Sequence, residues 1–368
     1  MSDELSRKAR IVKRLVAEFN SNRAFADKFA PGANLQSEMD VEYNYPEHLV
    51  AERIHMDNFE MELLTNYAIY DEEKGEFEVP DNIEESNETE ASNNIEASDE
   101  SEASNNLEAF SNTETSRDTN PTDNSNEDDS TKYNIDTNKW VILQLHGGGY
   151  VGAMRRHYKV MAGLYSEVGK GATVLTADYR VAPEYPFPAA LEDAMAAYEW
   201  LLDQGVPEHK LVLAGDSAGG GLAMALCHTL KSSWRKLPAG IIAMSPWTDL
   251  TTSGPSYTEN FDIDPVFGND RSELIFNNPY IGDANPRDPR ISPAFGDFTG
   301  FPPMLIQVGT DEMLLSDSEM VAAKARSAGV KVRFTKYQGM FHVFQMAGKI
   351  MEESGHAWAE VKRFLEEI

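Results

Sequence analysis

The chain has 368 residues, enough for one large α/β domain or two smaller ones, and its 41% hydrophobic content can supply a sizeable core. The formal charge of −29 argues against nucleic acid and anionic membranes as partners, because phosphate recognition needs clustered Lys and Arg. One cysteine, Cys227, excludes an internal disulfide framework, and no run approaches the roughly 20 apolar residues of a membrane span.

The start, "MSDELSRKARIVKRL", places acids before its basic residues and has no apolar signal-peptide core, so a soluble, cytoplasmic protein is expected. Within residues 1–40, Ile11, Val12, Leu15, Val16 and Phe19 recur at the spacing of one helix face. Lys8, Arg10, Lys13 and Arg14 surround them, and packing on the body of the protein is expected rather than a membrane-surface helix. Residues 41–80 carry two strand-like runs, Val50–Met56 and Phe59–Leu64.

Between Asp81 and Thr131 the composition changes to Ser, Asn, Glu and Thr, with 16 acidic residues against Arg117 alone. This tract holds −15 of the total charge and leaves an ordinary −14 for the rest. Its apolar content is too small to offset the entropy of ordering, so 81–131 reads as a disordered insertion in a surface loop, with an acidic binding segment as the alternative. The sequon at Asn87 is expected to be chance, since glycosylation requires export.

Residues 132–368 alternate strand and helix signals. Strand-like runs are Val141–Leu145, Thr173–Ala177, Leu211–Ala214, Ile241–Ser245, Met304–Val308 and Lys331–Lys336. Helix-like runs are Tyr158–Val168, Ala189–Leu202, Gly220–Leu230, Ser316–Ala328 and Phe344–Glu367. The alternation implies a mostly parallel sheet covered on both faces, with reactive groups where strands end.

"GDSAG", Gly215–Gly219, follows the apolar run "LVLA" and precedes helix-forming "GGLAMALCHTL". A serine on such a strand-to-helix turn is held with its hydroxyl exposed and the helix N-terminus aimed at the site, so Ser217 is the candidate nucleophile. Acyl transfer also needs an oxyanion hole of free backbone amides. "HGGGY" after the first strand of this region meets that need: Gly147 and Gly148 can turn their amides inward, and Ala218 supplies a third donor. The glycines of "SAGGG" mimic a dinucleotide loop, but the full G-x-G-x-x-G pattern and its distal acid are missing.

Together "HGGGY", "GDSAGG" and "DYRVAPEYPFPAALEDAMAAYEWL" resemble the hormone-sensitive-lipase-like branch of the α/β-hydrolases, in its GDSAG-type bacterial esterase group. The resemblance covers roughly 42–64 and 139–368. It implies an eight-stranded α/β-hydrolase sheet under a helical cap, built from the N-terminal segment 1–40 and an insertion at about 253–281. It also implies pairing into a homodimer through 331–368.

The serine needs a histidine as base and a carboxylate to orient it, in the chain order Ser, acid, His. Of the downstream histidines, His228 lies within the helix leaving the elbow and His356 in the final amphipathic helix. His342, in "QGMFHVF" after the last strand, is the candidate base. Asp311 is the expected acid, because "DEMLLSD" resembles the family's D-x-L-x-D segment. Asp317 is expected to cap the next helix with Ser316, and Glu312 to point elsewhere on the turn.

Tyr150 and Asp216 are weaker candidates for substrate contact, Arg180 and Glu184 are expected to pair, and Phe261, Phe267, Phe276 and Tyr280 to form an apolar ceiling. No cofactor or metal is expected, and His48, His55 and His157 read as structural. The function that follows is hydrolysis of short- to medium-chain acyl esters, with a small-molecule ester as partner. Alternatives are amide or peptide hydrolysis by the same groups, or a non-catalytic ligand-binding member, against which the retained Ser217, Asp311 and His342 argue.

Overall fold

A computed structural model describes residues 5–20, 37–79, 133–268 and 273–368. The acidic insertion expected at 81–131, with Asn87, lies outside the described residues, as do residues 21–36 of the N-terminal segment. The described residues up to Val79 and from Ile135 to Ile368 form one compact unit.

Its centre is an eight-stranded sheet in the order β1-β2-β6-β5-β7-β8-β9-β10. Strands β1 (Leu49–His55) and β2 (Glu60–Asn66) form an antiparallel hairpin, and β2 runs antiparallel to β6 (Thr173–Asp178). From β6 onward every pairing is parallel: β5 (Val141–Leu145), β7 (Leu211–Asp216), β8 (Gly240–Met244), β9 (Met304–Gly309) and β10 (Val332–Tyr337). The expected strand runs are present with ends moved by one or two residues. A small hairpin the periodicity does not announce, β3 (Ile69–Asp71) with β4 (Glu76–Glu78), follows β2.

Strands β5 and β7 are buried along their whole length, the condition under which both alternating faces are apolar. Ile142, Val174, Val212, Ile242 and Leu305 share one face. Against it pack Tyr158, Met161 and Tyr165 of α2 (His157–Val168) and Trp358, Val361 and Phe364 of α8 (Glu352–Glu367). The other face receives α3 (Ala189–Asp203), α4 (Ala218–Ser232) and α7 (Leu315–Ser327). After β8 the short helices α5 (Ser256–Glu259) and α6 (Glu273–Phe276) carry the segment expected to cap the sheet.

Two local expectations are corrected. The final helix is broken: a 3-10 stretch, Phe344–Ile350, precedes α8, because Gly348 takes φ 52°. Ser354 Oγ and Trp358 Nε1 both donate to the Gln345 carbonyl and hold the break. Helix α1 (Arg7–Asn20) exposes Ile11 and Leu15 and turns Ala9, Val12 and Val16 onto Met340, Phe341 and Phe344. The small Ala9 lets the helix sit close to that loop. No helix among the described residues is long and apolar enough to cross a membrane.

Candidate active site

Ser217 stands between β7 and α4 at φ 51° and ψ −122°, a backbone shape that non-glycine residues adopt only under constraint. The constraint is visible in its bonds. Ser217 N donates to the Met244 carbonyl at 2.9 Å, and Trp247 N donates to the Ser217 carbonyl at 2.8 Å. The flanking glycines are forced by close approach: a Cβ on Gly215 would lie 2.4 Å from Gly219 C, and one on Gly219 2.0 Å from the Leu145 carbonyl oxygen. The serine is 4% exposed, and its hydroxyl makes no hydrogen bond to a described residue.

His342 follows β10 in the adjoining loop, 8% exposed, with Phe267 of the segment after β8 packed on its ring at 4.6 Å. Its Nδ1 meets Glu312 Oε2 at 2.9 Å. Glu312 is fully buried, and its other oxygen accepts from Gly309 N at 2.5 Å and from Ser245 Oγ at 2.7 Å. Burial raises the Glu312 carboxyl above the usual carboxylate range, while these donors and the imidazole oppose the rise. Ser245, at φ 48° at the end of β8, also accepts from Val343 N at 3.2 Å and so ties the acid to the histidine loop.

The expectation for the acid is therefore corrected. Asp311 turns outward and pairs with Lys13 of α1, which also donates to the Gly339 carbonyl at 3.0 Å. The Asp311 amide is held by the Met340 carbonyl, and the turn sends consecutive side chains to opposite sides. Glu312, one position on, faces His342. No residue-type signal distinguishes the two acids, since they are adjacent in the segment between β9 and α7.

The glycine loop after β5 departs from a second expectation. Gly147 N donates to Tyr158 Oη at 2.7 Å and to Asp216 Oδ1 at 3.2 Å, so it is engaged inside the protein. The amides of Gly148, Gly149 and Ala218 donate to no described residue. Their directions follow from the planar peptide, in which C=O and N–H point opposite ways. His146 Nδ1 lies 2.7 Å from the Gly147 carbonyl, which turns the Gly148 amide the other way. Gly152 N donates to the Gly148 carbonyl at 2.9 Å, which does the same for Gly149. Gly148 must be glycine: at φ 116° a Cβ would sit 2.7 Å from the Gly152 carbonyl oxygen. Because a carbonyl only accepts, His146 carries its proton on Nδ1, and complete burial lowers its pKa and keeps the ring neutral.

The two weaker substrate candidates lie behind this loop. Asp216 is 2% exposed and accepts from Gly147 N and Tyr158 Oη, with its carboxyl pushed up to about 6 by burial. Tyr150 is 1% exposed and stacks on Tyr280 at 3.9 Å. Both buttress the loop. Asp317 caps nothing on its own helix: it is fully buried and accepts from Thr248 N and Asp249 N, at 2.8 and 2.7 Å, pinning the chain that leaves β8. Arg180 pairs with Asp193 and Glu192 on α3 rather than with Glu184, because Asp193 also accepts the Arg180 amide. Of the proposed ceiling, Phe276 is largely exposed and Tyr280 fully buried, while Phe267 touches the histidine. Among the described residues no three His, Cys, Asp or Glu side chains converge as metal ligands.

The parallel order β7-β8-β9-β10 brings the ends of four successive strands to one edge, and with them Ser217, Ser245, Glu312 and His342. That geometry can deliver a nucleophile, a base with its orienting acid, and backbone donors to one reacting carbonyl.

Known proteins share this architecture. The family described as the alpha/beta hydrolase fold matches residues 142–346, more than half of the chain. An acetyl-hydrolase of Streptomyces hygroscopicus is 41% identical over 227 residues, 61% of this chain and 75% of the relative. An esterase of Acinetobacter venetianus is 37% identical over 225 residues, 61% of this chain and 74% of the relative. The crystal structure of an esterase from the bacterial hormone-sensitive lipase family superposes with a TM-score of 0.70 at 26% identity, covering 99% of each chain. The chain belongs to the α/β-hydrolase family, in its bacterial hormone-sensitive-lipase-like branch.

Proposed function

We propose that this protein is a serine carboxylesterase in which Ser217 is the nucleophile, His342 the base and Glu312 the orienting acid. The observation that carries the reading is the 2.9 Å contact from His342 Nδ1 to a buried carboxylate, on the sheet edge that also bears the strained Ser217. Glu312 accepts the Nδ1 proton, which leaves Nε2 unprotonated and able to take the serine proton. Hydrogen bonds of this kind are commonly long without substrate and tighten in the Michaelis complex.

Ser217 Oγ attacks the ester carbonyl carbon as its proton passes to His342. The carbonyl electron pair moves onto oxygen, where the amides of Gly148, Gly149 and Ala218 and the N-terminus of α4 stabilise it. Collapse expels the alkoxide, which takes the proton from His342 and leaves as alcohol. Water then attacks the acyl-enzyme by the same route and releases the acid.

Short to medium acyl chains are the proposed substrates. Leu274 crowds Gly149 and Phe267 lies on His342, so apolar side chains bound the reacting centre closely. The name of the acetyl-hydrolase relative points the same way.

Hydrolysis of p-nitrophenyl esters from acetate to laurate, by wild type and Ser217→Ala, tests the reading. The expected result is a maximum at short chains and at least a 10³-fold loss in the variant. Turnover that survives in Ser217→Ala would refute the assignment of the nucleophile.

A further inference from the structure

The oxyanion loop is an unusual piece of backbone: Gly148, Gly149 and Tyr150 all have positive φ, at 116°, 62° and 62°. Such a run is held only by its surroundings, and glycine has no Cβ to restrict it. Its carbonyls are each clamped. Gly148 O accepts from Gly152 N at 2.9 Å and Tyr150 O accepts from Ala182 N at 2.8 Å, both backbone ties. Gly149 O accepts from the side chain of Asn278, Nδ2 to O at 2.7 Å.

Asn278 belongs to the segment after β8, 129 residues away in the chain, and is itself buried and saturated. Its Nδ2 also reaches the Leu274 carbonyl at 3.3 Å, and its Oδ1 accepts from Tyr280 N at 2.8 Å. Tyr280 stacks on Tyr150, and the Leu274 side chain lies against Gly149. One stretch of the cap, Leu274–Tyr280, therefore grips the loop at two successive residues.

From this juxtaposition we propose that Asn278 is a positioning residue for the oxyanion hole, which makes the donor geometry depend on the seating of the cap. The inference rests on the ester-hydrolase reading above. Asn278 fixes the peptide plane that follows Gly149, and Gly152 fixes the plane that precedes it. The plane before Gly149 carries its amide and sets its direction within the loop, and Asn278 is what ties Gly149 itself to the cap. Without Asn278 the positive-φ Gly149 loses its hydrogen bond to the cap, and its amide shifts with the loop away from the preorganised position.

Substrate is bound largely by apolar contacts, whereas the oxyanion exists only after attack. Loss of the clamp therefore lowers kcat and leaves KM nearly unchanged. Displacement of a catalytic group by about 1 Å costs up to about 100-fold, so Asn278→Ala is expected to lower kcat by about 10- to 100-fold. Asn278→Asp is the discriminating variant. It keeps the acceptor for Tyr280 N and hence the turn, but opposes Gly149 O with an oxygen, and it should lose at least as much.

The experiment measures kcat and KM for p-nitrophenyl butyrate, together with the Ki of an alkyl trifluoromethyl ketone. That inhibitor reports the hole: Ser217 Oγ bonds to the ketone carbon, the serine proton passes to His342, and the carbonyl electron pair becomes a bound oxyanion. Ki should rise by the same factor as kcat/KM falls. Wild-type kcat or Ki in folded Asn278→Asp would overturn the proposal, because the residue would then serve only the turn. Unfolding of both variants would overturn it equally, by making Asn278 a residue of the fold. Failure of the ketone to bind wild type, with turnover retained in Ser217→Ala, is a separate outcome that removes the esterase reading and this inference with it.

Discussion

Replacing Glu312 and Asp311 separately, as Glu312→Gln and Asp311→Asn, sets two adjacent acids against each other. In Glu312→Gln the amide oxygen can still accept from Gly309 N and Ser245 Oγ, at 2.5 and 2.7 Å in the native protein. The amide nitrogen then faces His342 Nδ1, where a donor meets a donor unless the ring moves its proton to Nε2. That tautomer cannot accept the serine proton, and the imidazolium formed during attack loses its counter-charge. Losses of about 10³–10⁴-fold in kcat are expected, equivalent to about 4–5 kcal/mol of barrier. Asp311→Asn breaks only the pair with Lys13, whose side chains are 23% and 20% exposed. Asp311 makes no hydrogen bond to His342, so its loss leaves the Glu312 contact intact and kcat/KM should fall less than about fivefold, about 1 kcal/mol of barrier. Initial rates with p-nitrophenyl butyrate at pH 8, with thermal melts as a folding control, decide the matter. A collapse of activity in folded Asp311→Asn with little change in Glu312→Gln would refute the argument from burial and hydrogen bonding.

Two further predictions concern buried groups. Asp317 is pushed up to about 8, chiefly by burial and also by the charge of Asp249, although the amides of Thr248 and Asp249 pull it down. An unfolded carboxyl titrates near 4, so between about pH 4 and 8 the native chain binds a proton that the unfolded chain has released, and stability falls as pH rises through that window. Asp317→Asn keeps an acceptor for both amides and is expected to melt several degrees above wild type at pH 8, with the gap closing below about pH 4. A gap of constant size from pH 4 to 8 would show that the carboxyl does not titrate there. Tyr158→Phe removes the hydroxyl that Gly147 N donates to and that donates to Asp216, both buried. It should cost about 1–3 kcal/mol, read as a lower urea midpoint at unchanged m, and an unshifted midpoint would mean the network contributes nothing.

Much of this protein is legible in its residues. The alternation of apolar runs with helix-length segments dictates the parallel sheet, because period 2 and period 3.6 patterns cannot exchange places. The glycines around Ser217 are dictated as well, since the elbow brings Gly219 against Leu145 with no room for a Cβ. His342, the proposed base, follows from elimination along the chain order. These features depend on neighbours in sequence, which a linear reading contains.

The features decided by tertiary structure depend on partners far along the chain. Asp311 and Glu312 differ by one position, and Lys13, 298 residues away, occupies the first while His342 takes the second. The Gly147 amide, expected to face a substrate oxygen, is instead held inside the protein by Tyr158 on the following helix and by Asp216 beside Ser217. Gly149 is held from the cap by Asn278. In each case identical local chemistry offers two or three candidates. Only the competition for hydrogen bonds inside a dry interior, where a buried donor without an acceptor costs free energy, selects one.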